Sequence, residues 1–416
     1  MMEAKRKLNV WYIHPYAGGP GVGRYSRPYF LVHHWIGLGL RATVFSASFH
    51  HLLDQPQNVG EKIIDGVPYE FVRGRNYTGN GLGRLLNMMQ FSWNFFRNSS
   101  KYATQYGKPD VIIASSPHPY AFLAARSVAR KYGAKIFFEV RDLWPLSLVE
   151  LGGVSANHPL ISFTGWVEKF SYKYSDRVVS LLPLTAPHMV ERGLAAARWA
   201  YIPNGIDRQE GQRASEAHPI ISLAKEWRKS GFTVFVYAGA LGRPNHVDSL
   251  VKAMSLLKLQ GDKNIKALIV GKGEAESDLK KLVLELELDA DVRIFGQIPK
   301  AQIVELFGEV SAGFISLRPE PIFRFGISPN KLFDYMLASL PVVFAVSAGN
   351  DPVKEANCGY SVAPGDAKAV ALAMQNIDCL SETQRREMGD RGRSYVLKNH
   401  DYAALAASYV TLFETD

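Results

Sequence analysis

The sequence predicts an α/β protein built of two doubly wound parallel sheets in tandem. Three observations carry this reading. At 416 residues the chain is too long for one hydrophobic core. Short strands that are apolar on both faces alternate with helical patterns in each half, as buried parallel strands require. The alternation breaks once, over a polar, irregular stretch at residues 205–231 carrying Gly205, Gly211, Pro219 and Gly231, and then restarts.

In the first half the strands are LNVWYIHP, RATVFSAS, DVIIASS, KIFFEV, RVVSLLP and WAYIPN, with a helix over residues 25–39 and further helices between the later strands. The second half runs FTVFVYAG, IKALIVG, VRIFG, AGFISL, PVVFAV and GYSVAP, again separated by helices. This places a first domain at residues 1–205 and a second at 206–399. In two such domains the carboxyl ends of the strands are the ligand edges, here expected to face a shared cleft. The last pattern, YAALAASYVTLF, has more apolar positions than one stripe needs. Residues 400–416 are therefore expected to pack across both domains, back onto the first, with packing on the second alone as the alternative.

Composition excludes several classes. With 47% hydrophobic and 21% charged residues and no low-complexity tract, the chain is globular. No apolar run approaches the ~20 residues that cross a bilayer, and the basic start MMEAKRKLNVWYIHP lacks the apolar stretch of a signal peptide. A cytoplasmic location is expected, and Cys358 and Cys379 have neither metal-type spacing nor a reason to bridge. The net charge of +9 is uneven: the first 190 residues hold 21 Lys+Arg against 11 Asp+Glu, the remainder 27 against 28. The basic half suits an anionic partner, membrane or nucleic acid, or simply a solvated surface. Within it, residues 79–108 form a long helical pattern whose Leu85, Leu86, Met88, Met89, Trp93, Phe95 and Phe96 stand beside Arg84, Arg97 and Lys101. That pattern suits either a core face or insertion among anionic headgroups.

Several motifs could carry chemistry. AGGPGVGR follows the first strand, but its glycines at 18, 19, 21 and 23 do not fit the dinucleotide spacing, and the second strand ends in Ser46 and Ser48 rather than an acid. Gly21 could still let backbone approach a ligand, and Arg24 and Arg27 could bind phosphate; otherwise the segment is a turn. YAGALGRPNHVDSLVKA ends a strand at Gly239 and offers Arg243 to a diphosphate, and Gly271 and Gly273 bracket the next turn. In RFGISPNKLFDYMLASLPVV, Ser328 is a good helix cap and Pro329 a good first helical residue. Asp334 then lies one turn inside the helix on the face of Asn330, where a carboxylate can grip a vicinal diol or merely sit at a favourable dipole. Asp289 and Asp291 make the chain's Asp-x-Asp, at a helix-to-strand junction, and read as a solvated pair rather than a metal site.

Together, the glycine loop, IPNGID, VGKGE, VRIFGQIP, SPNKLFDYMLASLPVV and FEVRDLWPLSLVELG resemble the retaining glycosyltransferases of family 4, over nearly the whole chain. The last two look like the subgroup that transfers N-acetylated amino or deoxy-amino sugars in bacterial surface polysaccharide assembly. The resemblance implies the two-domain GT-B fold, a nucleoside diphosphate sugar as donor, UDP-linked, and a lipid-linked or saccharide acceptor at the inner face of the plasma membrane. It implies no metal, no other cofactor and no nucleic acid partner. Carried over, Asp334 takes the place of the family's ribose-binding glutamate. The family's other glutamate falls on Gly326, so that sugar hydroxyls would be left to the backbone of Ile327, Ser328, Pro329 and Asn330, or to Glu320. The family's phosphate-binding Arg and Lys fall on Ala240 and Asn245, so Arg243 would supply the charge with Lys331 assisting. Arg141, followed by Asp142, replaces a histidine near the transferred sugar, and His118 in SSPHPY would touch acceptor or sugar. The expected set is thus Arg243, His118, Arg141 and Asp142 for catalysis, Gly21, Gly239, Gly271, the 327–331 segment and Asp334 for the donor, and Arg24, Arg27 and His118 for the acceptor. Other classes consistent with the sequence are a UDP-sugar epimerase of the same fold and a non-catalytic polysaccharide-binding module.

Overall fold

A computed structural model describes residues 7–79, 81–116, 118–208 and 218–415. The chain divides into two compact units: one runs to Asn204 and takes back the segment from Tyr402 onward, and the other is Gly205–Asp401.

The first unit contains β1 (Asn9–Ile13), α1 (Arg27–Gly37), β2 (Arg41–Ala47), β3 (Gly60–Ile64), β4 (Val67–Val72), α2 (Leu82–Arg97), α3 (Ser99–Tyr106), β5 (Val111–Ser115) and α4 (Tyr120–Tyr132). It continues with β6 (Lys135–Val140), α5 (Leu146–Glu150), α6 (Pro159–Tyr174), β7 (Arg177–Ser180), α7 (Ala186–Glu191) and β8 (Trp199–Tyr201). The sheet order is β3-β4-β2-β1-β5-β6-β7-β8, parallel except for β3. Chain direction across the sheet therefore reverses between β1 and β5, which makes their carboxyl ends the ligand crevice of a doubly wound sheet.

The β3–β4 hairpin falls outside the sequence expectation. Its turn is Asp65-Gly66, both in the left-handed region (φ 42° and 84°), the two-residue connection that matches strand twist. The long helical pattern at residues 79–108, of which Asn80 lies outside the described residues, is two helices meeting at Asn98.

The second unit contains α8 (Pro219–Lys229), β9 (Thr233–Ala238), α9 (Asp248–Leu259), β10 (Ile265–Val270), α10 (Glu276–Glu285), β11 (Val292–Phe295), α11 (Lys300–Phe307) and β12 (Ala312–Ser316). After these come α12 (Asn330–Leu337), β13 (Val342–Ala345), α13 (Pro352–Ala356), β14 (Gly359–Ser361), α14 (Ala367–Asp378) and α15 (Glu382–Asn399). All paired strands are parallel in the order β11-β10-β9-β12-β13-β14, with the direction change between β9 and β12. The stretch read as a linker is not irregular throughout. Residues 209–217 lie outside the described residues, but α8 buries Ile220, Ile221, Ala224 and Trp227. Their spacing is that of one helical face, masked in the sequence by the polar residues between them.

The final helix, α16 (Tyr402–Glu414), belongs to the first unit, where Tyr402, Leu405, Ala406, Tyr409 and Phe413 pack into the core beside α1. It is also tied by polar contacts. Arg27 of α1 is buried and pairs with Glu139 of β6 at 3.0 Å, while donating to the carbonyls of Ile202 and Pro203. Glu139 accepts from Tyr12 and Ser115, each at 2.6 Å, and from the Tyr409 hydroxyl of α16. Arg27 thus corrects the expectation of an acceptor-binding cation. Its guanidinium is consumed by a buried network and has no surface to offer.

Candidate functional site

In the second unit, two glycines let the loops after β9 and β10 touch. A Cβ on Gly271 would stand 1.8 Å from the Gly239 carbonyl oxygen, and one on Gly273 would stand 2.4 Å from Leu241 backbone atoms. The loop leaving β9 is also stitched to the loop leaving β12. Ser316 donates to the Asn245 carbonyl at 2.6 Å, the Arg318 amide to the Pro244 carbonyl at 2.9 Å, and the Arg318 side chain to the Arg243 carbonyl at 3.0 Å. The crevice at the direction change of the sheet is therefore preformed.

Lys331, in the first turn of α12, reaches into this crevice. Its Nζ donates to the Tyr237 hydroxyl at 2.8 Å and to Asn245 Oδ1 at 2.7 Å, and lies against Gly239, where a Cβ would come within 3.0 Å of it. Tyr237 is free to accept because its own proton goes to the Ala240 carbonyl at 2.7 Å. Burial lowers the Lys331 pKa from 10.5 to about 8, so the ammonium is charged at neutral pH. Arg243, by contrast, is exposed and lines a cavity of about 570 Å³ with His246, Asp248 and Asp278, to whose lining Lys331 does not contribute.

The helix start differs from expectation. α12 begins at Asn330, with Pro329 rather than Ser328 at the cap, because Pro329 is extended (ψ 120°). Ahead of it, Ile327 and Asn350 are joined by reciprocal hydrogen bonds of 2.7 and 3.1 Å. Gly326 has φ 96°, a conformation that disfavours any side chain, which accounts for the missing carboxylate at that position. Asp334 stands one turn after Lys331, half-buried, and its Oδ2 pairs with Lys300, the first residue of α11, at 2.6 Å. Asp291, of the Asp-x-Asp pair, is held by Lys266 at 2.6 Å.

The first unit presents a different cluster at the carboxyl ends of β1, β2, β5 and β6. His14 is buried, stacks on Tyr25 at 4.5 Å, accepts from the Tyr16 amide at 3.1 Å and stands 3.1 Å from Arg141. The Arg141 guanidinium lies 3.5 Å above the same Tyr25 ring. His118 is 1% exposed, packed among Tyr16, Tyr120 and Trp144, and among the described residues neither ring nitrogen has a hydrogen-bond partner. Burial, with Arg84 adding to it, lowers its pKa to about 3, so His118 is neutral and offers one donor and one acceptor. Its neighbour Pro117 lies outside the described residues. Asp142 reaches solvent beside Arg141, yet the protein packed around it lifts its carboxyl above the usual range, against the pull of Arg141. Gly21 is at the exposed tip of the glycine loop (φ 67°), with Arg24 exposed nearby. The loop itself is closed by the Gly19 amide donating to the Gly23 carbonyl at 3.1 Å.

These two crevices can be set beside known proteins. Residues 222–395 match the family "Glycosyl transferases group 1", and residues 21–205 match "Glycosyl transferase 4-like domain". The second unit thus carries a group 1 glycosyltransferase domain and the first a glycosyl transferase 4-like domain. Solved structures similar to this glycosyltransferase share its fold along almost its whole length. Sucrose-phosphate synthase from Thermosynechococcus elongatus aligns with a TM-score of 0.72 at 18% identity, covering 98% of each chain. A glycosyltransferase from Rickettsia africae gives 0.69 at 16%, covering 98% of each chain. Anabaena HepE, solved with UDP and glucose, gives 0.66 at 17%, covering 97% of this chain and 99% of that one. No curated protein sequence matches. The fold is thus GT-B.

Within this glycosyltransferase, sequence reasoning did not single out His14, Tyr16, Tyr25 and His50, the last buried 5.5 Å from the Tyr16 ring, in the first unit, or Tyr237, Lys300 and Asn350 in the second. Their shared signal was position: most lie at or just past the carboxyl end of a strand. If the Lys331 ammonium meets an anionic ligand, affinity for that ligand is expected to hold below about pH 8. Above that it should fall by up to about tenfold per pH unit as the proton is lost, measurable by calorimetric titration.

Proposed function

We propose that this glycosyltransferase moves a sugar from a UDP-linked donor, held by the second unit, to an acceptor held by the first, with retention of anomeric configuration. The observation that carries the reading is the Lys331 ammonium fixed over Gly239 one helical turn from Asp334. A diphosphate on Lys331 and the start of α12, with ribose hydroxyls on Asp334, is a chemically matched set. The family's lysine position is Asn245 here, and Lys331 brings its ammonium to that side chain from another element. Ribose would draw Asp334 away from Lys300 or share the carboxylate with it.

In the transfer, the bond from the anomeric carbon to the diphosphate oxygen breaks and a bond from that carbon to the acceptor oxygen forms. The acceptor's proton goes to the leaving diphosphate, so no side-chain nucleophile is used. The charge developing on the diphosphate falls to Lys331 and the α12 start, with Arg243 contributing from its exposed position; the reading calls on no metal ion. Neutral His118 suits an acceptor or sugar hydroxyl, and Arg141, which follows β6, donates its amide to Ser116 at 2.9 Å, two residues before His118, with Asp142 next in the chain. An N-acetylated hexosamine or deoxy-hexosamine is the transferred sugar in this reading, within cell-surface polysaccharide assembly. A lipid-linked acceptor at the cytoplasmic membrane face is supported by α2, which exposes Leu82, Leu86, Met89, Trp93 and Phe96 on one stripe.

The test is incubation of the full chain with UDP-sugars, with and without lipid-linked saccharides. Acceptor-dependent release of UDP and a glycoside of unchanged anomeric configuration is expected. A new epimer formed from UDP-sugar alone would make the protein an epimerase, and saccharide binding without nucleotide binding would make it a binding module.

A further inference from the structure

On one side of the first sheet α4 packs between α2 and α6. α6 turns Ile161, Thr164, Val167 and Ser171 inward, and on its other face Phe163, Trp166 and Tyr174 are 42%, 55% and 37% exposed. These side chains touch in series with Phe170. Ring centroids are 6.1 Å apart from Phe163 to Trp166, 5.5 Å from Trp166 to Phe170 and 4.6 Å from Phe170 to Tyr174. The ladder does not end at the surface. Phe163 stacks on Tyr120 at 5.9 Å, and Tyr120 stacks on the unpartnered His118 at 5.4 Å.

Charge on this layer is one-sided. α2, α3, α4 and α6 together carry eight Lys and Arg and one acid, Glu168, which is buried and paired with Arg192. Arg126 of α4 sits 4.9 Å from the centre of the Tyr174 ring, so cations lie at the aromatic residues themselves. A water-facing helix gains nothing from a Phe, Trp and Tyr ladder, whereas aromatic side chains ringed by cations are what an interfacial helix places among anionic headgroups.

We propose that α6 and α2 together form a two-helix face that seats on an anionic lipid bilayer, with the α6 ladder leading from the lipid surface to His118. The face stands on its own observations; its purpose, presenting a lipid-held acceptor to His118, rests on the transferase reading above.

The experiment is co-sedimentation of the full chain with phosphatidylglycerol vesicles and with phosphatidylcholine vesicles, alongside UDP titration of the same preparations. Wild type is expected to bind phosphatidylglycerol, less so in high salt, and to leave phosphatidylcholine unbound. Phe163→Glu with Trp166→Glu should lower partitioning by about tenfold or more, with UDP affinity unchanged. The reversal Lys169→Glu with Lys173→Glu, which keeps the ladder, should also lower it. Wild type ignoring phosphatidylglycerol, or both double variants binding as wild type does, overturns the proposal. So does lipid-free dimerisation that the Phe163 and Trp166 changes abolish, since a second copy would then own the face. Vesicle binding without UDP binding would uphold the face and sink the functional reading.

Discussion

Glu139→Ala is expected to destabilise the first unit by about 3–5 kcal/mol, because it strands the buried Arg27 guanidinium without its counter-charge. The same change removes the acceptor for Tyr12, Ser115 and Tyr409 at once. Since Tyr409 lies on α16, the C-terminal helix should loosen as well. A thermal melt should fall by about 6–20 °C. The pH dependence has a defined sign. Burial alone would raise the Glu139 pKa, but Arg27 and the three hydroxyl donors outweigh it and the carboxyl ends below its ordinary value. A depressed carboxylate contributes stability that is present above the unfolded-state pKa and lost as pH falls through the folded one. Wild type should therefore lose this contribution in acid, and Glu139→Ala should show a flatter acid limb. A variant melting within a degree or two of wild type would mean the network is dispensable.

Lys331→Met is expected to lower kcat/KM for transfer by about 10²–10³ while leaving the fold intact. Methionine preserves the length of the side chain, and the Tyr237 hydroxyl keeps the Ala240 carbonyl as its acceptor. What disappears is the single positive charge fixed against Gly239. Arg243→Met should cost less, because that guanidinium is exposed. Steady-state kinetics on both variants orders the two cations. If Arg243→Met proves the more damaging, the leaving-group charge is met from the β9 loop and not from α12.

Much of the architecture was legible in the chain because buried parallel strands are nearly continuous apolar runs. KIFFEV, TVFVYA and IKALIV announce themselves without reference to anything distant. The β3–β4 hairpin did not, since GEKII mixes charged with apolar residues and VPYEFV is interrupted by Pro68 and Glu70; its local signal is the Asp65-Gly66 turn. α8 was hidden by a neighbouring polar stretch. The position of Asp334, one turn into a helix, was legible from the local pattern. Site residues were illegible where a partner decided the role. Arg27 resembles a surface cation until Glu139, 112 positions away, is found against it. Lys331 resembles an assistant until Tyr237 and Asn245 are seen to hold it in the crevice. Lys300 gave no signal beyond following a strand end.

The most direct test of nucleotide binding at α12 is calorimetric titration of UDP and 2′-deoxy-UDP into wild type and Asp334→Ala. A carboxylate accepting ribose hydroxyls should make UDP bind wild type about ten- to a hundredfold more tightly than it binds the variant. Wild type should discriminate against the deoxy ligand and the variant should not, because the coupled pair has then been removed from one side or the other. Equal affinity of UDP for wild type and a folded Asp334→Ala, or discrimination that survives in the variant, would contradict the assignment of Asp334 to the ribose.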